Sequence, residues 1–208
     1  MYMPPAFRVE DIAEIHRTMR EARSATLVTA TEEGLIGTLA PMLLDETEGP
    51  NGTLYAHVAR SNPQWKLQPS CEAMAIFGGP EAYVTPSWYV TKQETHKVVP
   101  TWNYVAVHAY GTIEFFDDAD RLLDLVRRLT DLHEQSQKDP WAVADAPADF
   151  IQAQLKAIVG LRMPITRCDA KRKMSQNRNA ADRAGVIDGL SRSDRPEDHI
   201  VAALIPRG

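Results

Sequence analysis

Between Ser24 and Asp118 the chain passes through four or five strand-like segments before it enters a long helix, and that order excludes most folds. "ATLVTATEEGLIGTLAPMLLDE" alternates on both sides of Glu32, Glu33 and Gly34 and is expected to form a hairpin. "GPNG" then reads as a turn and "TLYAHVAR" as a third strand. "EAMAIFGGPEAYVTP" is a further strand pair or one bent strand, broken at Gly78, Gly79 and Pro80. "TWNYVAVHAYGTIEFFDD" alternates again and is β-rich. Runs of strands with helices inserted favour an antiparallel barrel with peripheral helices over a parallel βαβ sheet.

The helices carry a different period. In "VEDIAEIHRTMREA" Ile12, Ile15 and Met19 recur at three to four residues, with Asp11 as N-cap or first-turn acid. Asp117 or Asp118 caps "DADRLLDLVRRLTDLHEQSQ", where Leu122, Leu125, Val126, Leu129 and Leu132 line one face. "APADFIQAQLKAI" is a shorter helix. "VGLRMPITRCDAKRKMSQNR" reads as a strand running into a basic, polar segment, and "AADRAGVIDGL" and "RPEDHIVAALI" read as two short helices. At 208 residues and 44% hydrophobic the chain supports one sizeable core, so a single domain over 1–208 with a helical C-terminal extension (about 172–208) is expected.

Charge and cysteine usage remove several function classes. A net charge of −5 argues against a surface devoted wholly to polyanions, while leaving room for a local basic patch. Cys71 and Cys168 offer neither a disulfide framework nor a zinc spacing. The N-terminal stretch is charged by residue 8, and no run reaches the roughly 18 apolar residues of a membrane span. A cytoplasmic protein is the expectation. There is no Walker loop, no G-x-G-x-x-G after a strand, no G-x-S-x-G elbow and no H-E-x-x-H. The six histidines never fall at i, i+4 on one helix face, so no metal site is expected.

One constellation points to an anion. In "LYAHVARSNPQWK" a strand ending in His57 and Arg60 runs into Ser61, Asn62 and the first turn of a helix that Pro63 opens. Guanidinium, hydroxyl, amide and backbone N–H groups can converge there, which suits a phosphate. An ordinary capped junction with a solvated arginine is the competing reading.

Five segments carry a resemblance. "TLAPMLLD", "HVARSNPQW", "YVTPSWY", "VPTWNYVAVHAYG" and "KMSQNRNAADRAGVIDGL", in this order, resemble the PaiB family of FMN-binding negative transcriptional regulators and span most of the chain, residues 1–190. The resemblance implies an FMN-binding split β-barrel, a homodimer with two flavin sites at the subunit interface, and a role in repressing degradative-enzyme and sporulation genes.

FMN requires a phosphate site, partners for the ribityl chain and a flat apolar slot with polar edges for the ring. Arg60, Ser61 and Asn62, with Lys66 one turn on, form the phosphate group, and His57 ends the strand that delivers it. Thr38, Leu39, Ala40, Pro41 and Met42 resemble the strand that addresses the ring in split-barrel flavoproteins; Leu39 and Met42 read equally as core. Pro41 donates no N–H and so belongs at an edge or bulge. Thr85, Ser87 and Trp88 are placed to close over the ribityl chain and ring. Trp102, Asn103 and Tyr104 fit an interface wall or a barrel interior alike. His96 falls in a polar loop, and His108 points either to a ligand or to solvent. The resemblance implies that the C-terminal segment crosses to the partner subunit, with Gln176 and Arg178 as donors; a small DNA-contacting patch and a solvated strand end are the other readings of this basic cluster.

Two function classes follow. The first is an FMN-binding homodimeric repressor, the second an FMN-dependent oxidoreductase such as a flavin reductase, because fold does not fix function. No helix-turn-helix is legible, so DNA as a partner rests on the resemblance alone.

Overall fold

The computed structural model describes residues 1–207. The N-terminal half contains β1 (Arg8–Val9), α1 (Ile12–Ala22), β2 (Ser24–Thr31), β3 (Gly34–Pro41), β4 (Leu43–Asp45), β5 (Thr53–Ala59) and β6 (Ala73–Val84). Then come α2 (Val90–Thr95), β7 (Thr101–Gly111), β8 (Glu114–Phe116), α3 (Ala119–Glu134), α4 (Ala148–Leu155), β9 (Ile158–Pro164), β10 (Arg167–Lys173), α5 (Ala180–Ser191) and α6 (Pro196–Leu204). Short 3-10 turns occupy Pro5–Phe7, Pro63–Lys66, Pro86–Trp88 and Val143–Asp145. The chain forms two compact units, one of Met1–Thr18, Gly78–Val107 and the residues from Asp169 onward, the other of Met19–Phe77 and His108–Cys168.

In the larger unit β2 and β3 form the expected hairpin, in register from Ser24 opposite Pro41 to Thr31 opposite Gly34. Gly34 takes φ 114°, a conformation open to glycine alone at this cost, and the Thr31 hydroxyl donates to its carbonyl at 3.0 Å. β2 pairs antiparallel with β6 on its other side, which leaves β3 with β2 as its one hydrogen-bonded neighbour. A second antiparallel sheet runs β4-β5-β9-β8. Asp118 is the cap of α3 and accepts the Arg121 N–H at 2.9 Å. The helix seats Leu122, Leu125 and Leu129 against Phe116 and Leu155. Gly160 interrupts the apolar pattern of β9 because a Cβ there would stand 2.4 Å from the Phe116 ring.

The smaller unit has its own core of Ala82, Val84, Tyr89, Met174, Val186, Leu190, Val201, Ala202 and Ile205. The segment from 172 onward therefore carries much of a core through α5 and α6. β1 pairs antiparallel with β10, Arg8 opposite Lys171.

The antiparallel α+β class expected from the sequence is the class observed, with three local corrections and one open alternative decided. Eight strands precede α3, more than the expected four or five, because β1, β4 and β8 have two or three residues each and cannot show a period. Of the strand pair and the single strand expected around Gly78, Gly79 and Pro80, the single strand is observed as β6. Gly79 marks a close approach, since its Cβ would meet Val105 Cβ at 2.8 Å. The expected loop around His96 contains α2, which His96 ends in the left-handed region at φ 56°, its N–H reaching the Lys92 carbonyl at 3.1 Å. The strand read into "VGLRMPITRCDAKRK" is two strands, β9 ending at Pro164 and β10 starting at Arg167.

Candidate functional site

The polar group that best defines a site in the larger unit surrounds Gln64. Its side chain is fully buried, and its amide donates to the Leu27 carbonyl (3.3 Å), the Thr29 hydroxyl (3.0 Å) and the Ile36 carbonyl (3.3 Å). Its carbonyl Oε1 is buried with no hydrogen-bond partner. A buried acceptor left without a donor costs stability unless something supplies one. Next to it both polar atoms of the Asn62 side chain are engaged: its Oδ1 accepts the Gln64 N–H at 2.9 Å and its Nδ2 donates to Thr38 Oγ1 at 2.9 Å. Thr38 and Asn62, both expected at the cofactor, are thus brought together, and Gln64 is the partner that the sequence did not single out.

β3 presents two contrasting faces at this point. Ala40 is buried, and the next residue but one, Met42, is buried with its N–H on the Arg23 carbonyl at 2.9 Å. Leu35 and Leu39 point outward at 77% and 72% exposure, and Gly37 and Pro41 are exposed on the same alternation. Leu39 is therefore a surface residue and Met42 a core one. An apolar surface on a strand with one hydrogen-bonded neighbour fits a flat ring such as a flavin, while the Gln64 amide lies on the other face of β3, with Thr29, Thr38 and Ala40.

Arg60 is placed differently from the expectation of a phosphate ligand. Its Nε donates to the Lys156 carbonyl at 2.7 Å, Nη2 to the Ile158 carbonyl at 3.1 Å and Nη1 to Asp117 Oδ2 at 3.2 Å. Three of the five N–H groups of the guanidinium are spent on tying β5 to β9 and to the entry of α3. The Trp65 indole N–H donates to the Arg60 carbonyl at 2.9 Å, and the Lys66 ammonium sits 5.4 Å from the Trp65 ring centre. The helix expected after Ser61 is a four-residue 3-10 turn whose first free N–H is taken by Asn62. Ser61 and Lys66 are the members of the phosphate group that face solvent.

His57 lies with Pro41 on a cleft of about 300 Å³ that Leu129, Thr130, His133, Glu134 and Trp141 complete. Burial holds the His57 imidazolium below its ordinary value and favours the neutral ring. Glu134 is fixed there by the Trp141 N–H at 3.0 Å. His133, Glu134 and Trp141 carry no sequence signal as a site, since they meet His57 only through tertiary packing.

The remaining expected residues lie in the smaller unit. Thr85 caps the Pro86–Trp88 turn, its hydroxyl accepting the Ser87 N–H at 3.3 Å, and Ser87 Oγ accepts from Lys92 at 3.1 Å. Trp88 packs against α5, where Gly185 and Gly189 leave room for it. Trp102 is exposed, with its indole N–H 3.3 Å from Glu81 and its ring 6.0 Å from that of Tyr83. Gln176 folds back on its own segment, Oε1 accepting the Met174 N–H at 2.6 Å and Nε2 donating to the Arg172 carbonyl. Arg178 stacks over Tyr89, 4.6 Å from the ring centre. Among the described residues, no group of three or more His, Cys, Asp and Glu is arranged to hold a metal, and no helix is long and apolar enough to cross a membrane.

Residues 1–167 match the family described as "Putative FMN-binding domain". The chain is also 31% identical to "Protease synthase and sporulation protein PAI 2" of Bacillus subtilis, across 99% of this chain and 96% of that protein. The chain belongs to the PaiB family of FMN-binding-domain proteins. Solved structures share the PaiB-type fold of this chain at much lower identity. The FAD and heme binding protein from Mycobacterium smegmatis aligns with a TM-score of 0.57 at 13% identity, over 80% of this chain and 73% of that one. The flavocytochrome Anf3 from Azotobacter vinelandii aligns with a TM-score of 0.56 at 11% identity, over 78% of this chain and 67% of that one. These likenesses place the fold among the split-barrel proteins, in accord with the fold class expected from the five segments.

Proposed function

We propose that this PaiB-family chain binds FMN along β3 as a homodimer and acts as a flavin-dependent negative regulator of transcription. The observation that carries the flavin part is the outward, apolar Leu35 and Leu39 surface on a strand of this FMN-binding-domain chain. A flavin contributes an apolar ring, whose burial against these leucines is favourable. Exposed leucines on a strand with a single hydrogen-bonded neighbour also support a second copy covering that face. The regulatory part is supported by the name of the Bacillus subtilis relative, which refers to protease synthesis and sporulation.

A second reading, an FMN-dependent oxidoreductase, is favoured by the cleft that joins Pro41 and His57. A neutral, partly desolvated imidazole facing an open cleft suits a small substrate placed next to the flavin strand. The two readings separate in one experiment. The purified protein, reconstituted with FMN and showing oxidised-flavin absorbance near about 450 nm, is titrated anaerobically with NADH and NADPH. Absence of bleaching supports the regulator; stoichiometric bleaching supports the enzyme. A protein that takes up no flavin at micromolar concentrations rejects both.

A further inference from the structure

Three basic side chains of the smaller unit have no counter-charge. Lys171 and Lys173 stand two residues apart on β10 and leave the same face of the strand. Arg178 follows after a turn in which Ser175 takes φ 57° and accepts the Arg178 N–H at 2.9 Å. Lys171 is only 8% exposed; its ammonium lies 3.3 Å from the Tyr2 carbonyl and 5.1 Å from the centre of the Tyr104 ring. Lys173 donates to the Thr101 hydroxyl and, at 2.8 Å, to the Trp102 carbonyl. Arg178 lies over the Tyr89 ring. Each of these partners is a neutral oxygen or a π face.

The neighbours show how unusual that is. Arg172, between the two lysines and on the other face of β10, is paired with Glu14 at 3.2 Å. Asp182, the carboxylate on the Tyr89 side, has its oxygens on the Thr91 N–H (2.9 Å) and the Thr91 hydroxyl (2.8 Å). Among the described residues no carboxylate stands within ion-pair distance of Lys171, Lys173 or Arg178. Burial first, and then the charges of Lys171 and Arg178, draw the Lys173 ammonium below the ordinary lysine range. Tyr89, 1% exposed, has its hydroxyl buried beside Arg178, and burial holds its ionisation above the ordinary tyrosine range while the Arg178 charge opposes that rise. Gathering like charges in a partly desolvated place is costly unless an anion compensates them.

We propose that Lys171, Lys173 and Arg178 form the binding site of a phosphomonoester dianion. Three cationic donors match the three terminal oxygens of such a group, and the fixed guanidinium fork of Arg178 adds geometric selectivity. The burial of Lys171 disfavours a duplex backbone, which needs cations projecting from the surface. The phosphomonoester belongs either to FMN itself, an arm that rests on the flavin reading above, or to a separate phosphorylated metabolite.

The test uses the full chain with Lys173→Gln and Arg178→Gln, and Lys173→Arg as the conservative control, each verified by thermal melting. Inorganic phosphate is titrated first by calorimetry, without flavin. The wild type is expected to bind it, the two glutamine variants to lose roughly tenfold in affinity, and Lys173→Arg to retain it. FMN and riboflavin are titrated next. A preference for FMN over riboflavin that falls in the glutamine variants, with phosphate competing against FMN alone, assigns the dianion to the flavin. An unchanged preference with phosphate binding lost assigns it to a separate ligand. Phosphate affinity that is absent in the wild type, or equal in wild type and both glutamine variants, overturns the site. The phosphate arm reads the same whether or not the chain takes up flavin, so the two proposals fail separately.

Discussion

Gly185 of α5 lies so close to Trp88 that a Cβ on it would meet the Trp88 carbonyl oxygen at 2.0 Å, and Gly189 one turn on would meet the indole at 2.3 Å. A helical glycine normally costs about 1 kcal/mol relative to alanine, so Gly185→Ala on an open surface would stabilise. Here the clash is with backbone and cannot be relieved by a rotamer change. Gly185→Ala should therefore destabilise by about 1–3 kcal/mol, measured as a lower urea midpoint with unchanged slope. A stability equal to or above wild type would mean that Trp88 is free to move off α5.

Arg60→Ala should behave as a structural lesion. Its guanidinium serves the Lys156 and Ile158 carbonyls and Asp117, and losing these bonds should cost about 1–2 kcal/mol. The ratio of FMN to riboflavin affinity is expected to stay within about twofold of wild type. A selective loss of FMN affinity at unchanged melting temperature would return Arg60 to the phosphate.

Gln64→Leu removes the amide that holds β2 and β3 together at the Leu27 and Ile36 carbonyls. The expected stability loss is about 1–3 kcal/mol. The loss is read as a lower urea midpoint at unchanged slope. A midpoint equal to wild type would show that the amide bonds to β2 and β3 carry no net stability.

His57 sets a pH dependence with a definite sign. Burial depresses the folded-state value below the ordinary 6.5, so the unfolded chain binds the proton more readily than the folded one. The stabilisation is complete above about 6.5 and is lost as pH falls toward and through the folded value. His57→Gln should flatten the acid limb of the unfolding free energy between pH 7.5 and 5. Parallel acid limbs in variant and wild type would show that the imidazole is not desolvated in solution.

Some elements were legible because their signal is local. The hairpin turn at Gly34 and the Asp118 cap with its Leu122, Leu125 and Leu129 stripe each lie within a few residues of their cause. α2 was missed for the opposite reason. "VTKQET" is short and has no apolar face; it is held from outside, by Thr91 on Asp182, 91 residues away. Gly78 and Gly79 look like a break in any strand until Val105 is seen against Gly79.

By itself the sequence determined period, caps and the family, because alternation, side-chain caps and ordered motifs are properties of neighbours along the chain. Only the tertiary structure decided how polar groups are spent. It tied Arg60 to Asp117 and to the Lys156 and Ile158 carbonyls, put Trp88 on α5 while leaving Trp102 exposed, and left Lys171, Lys173 and Arg178 without a carboxylate. Hydrogen bonds and ion pairs are allocated through space, between residues as distant as Arg60 and Lys156, and a linear pattern carries no record of that allocation.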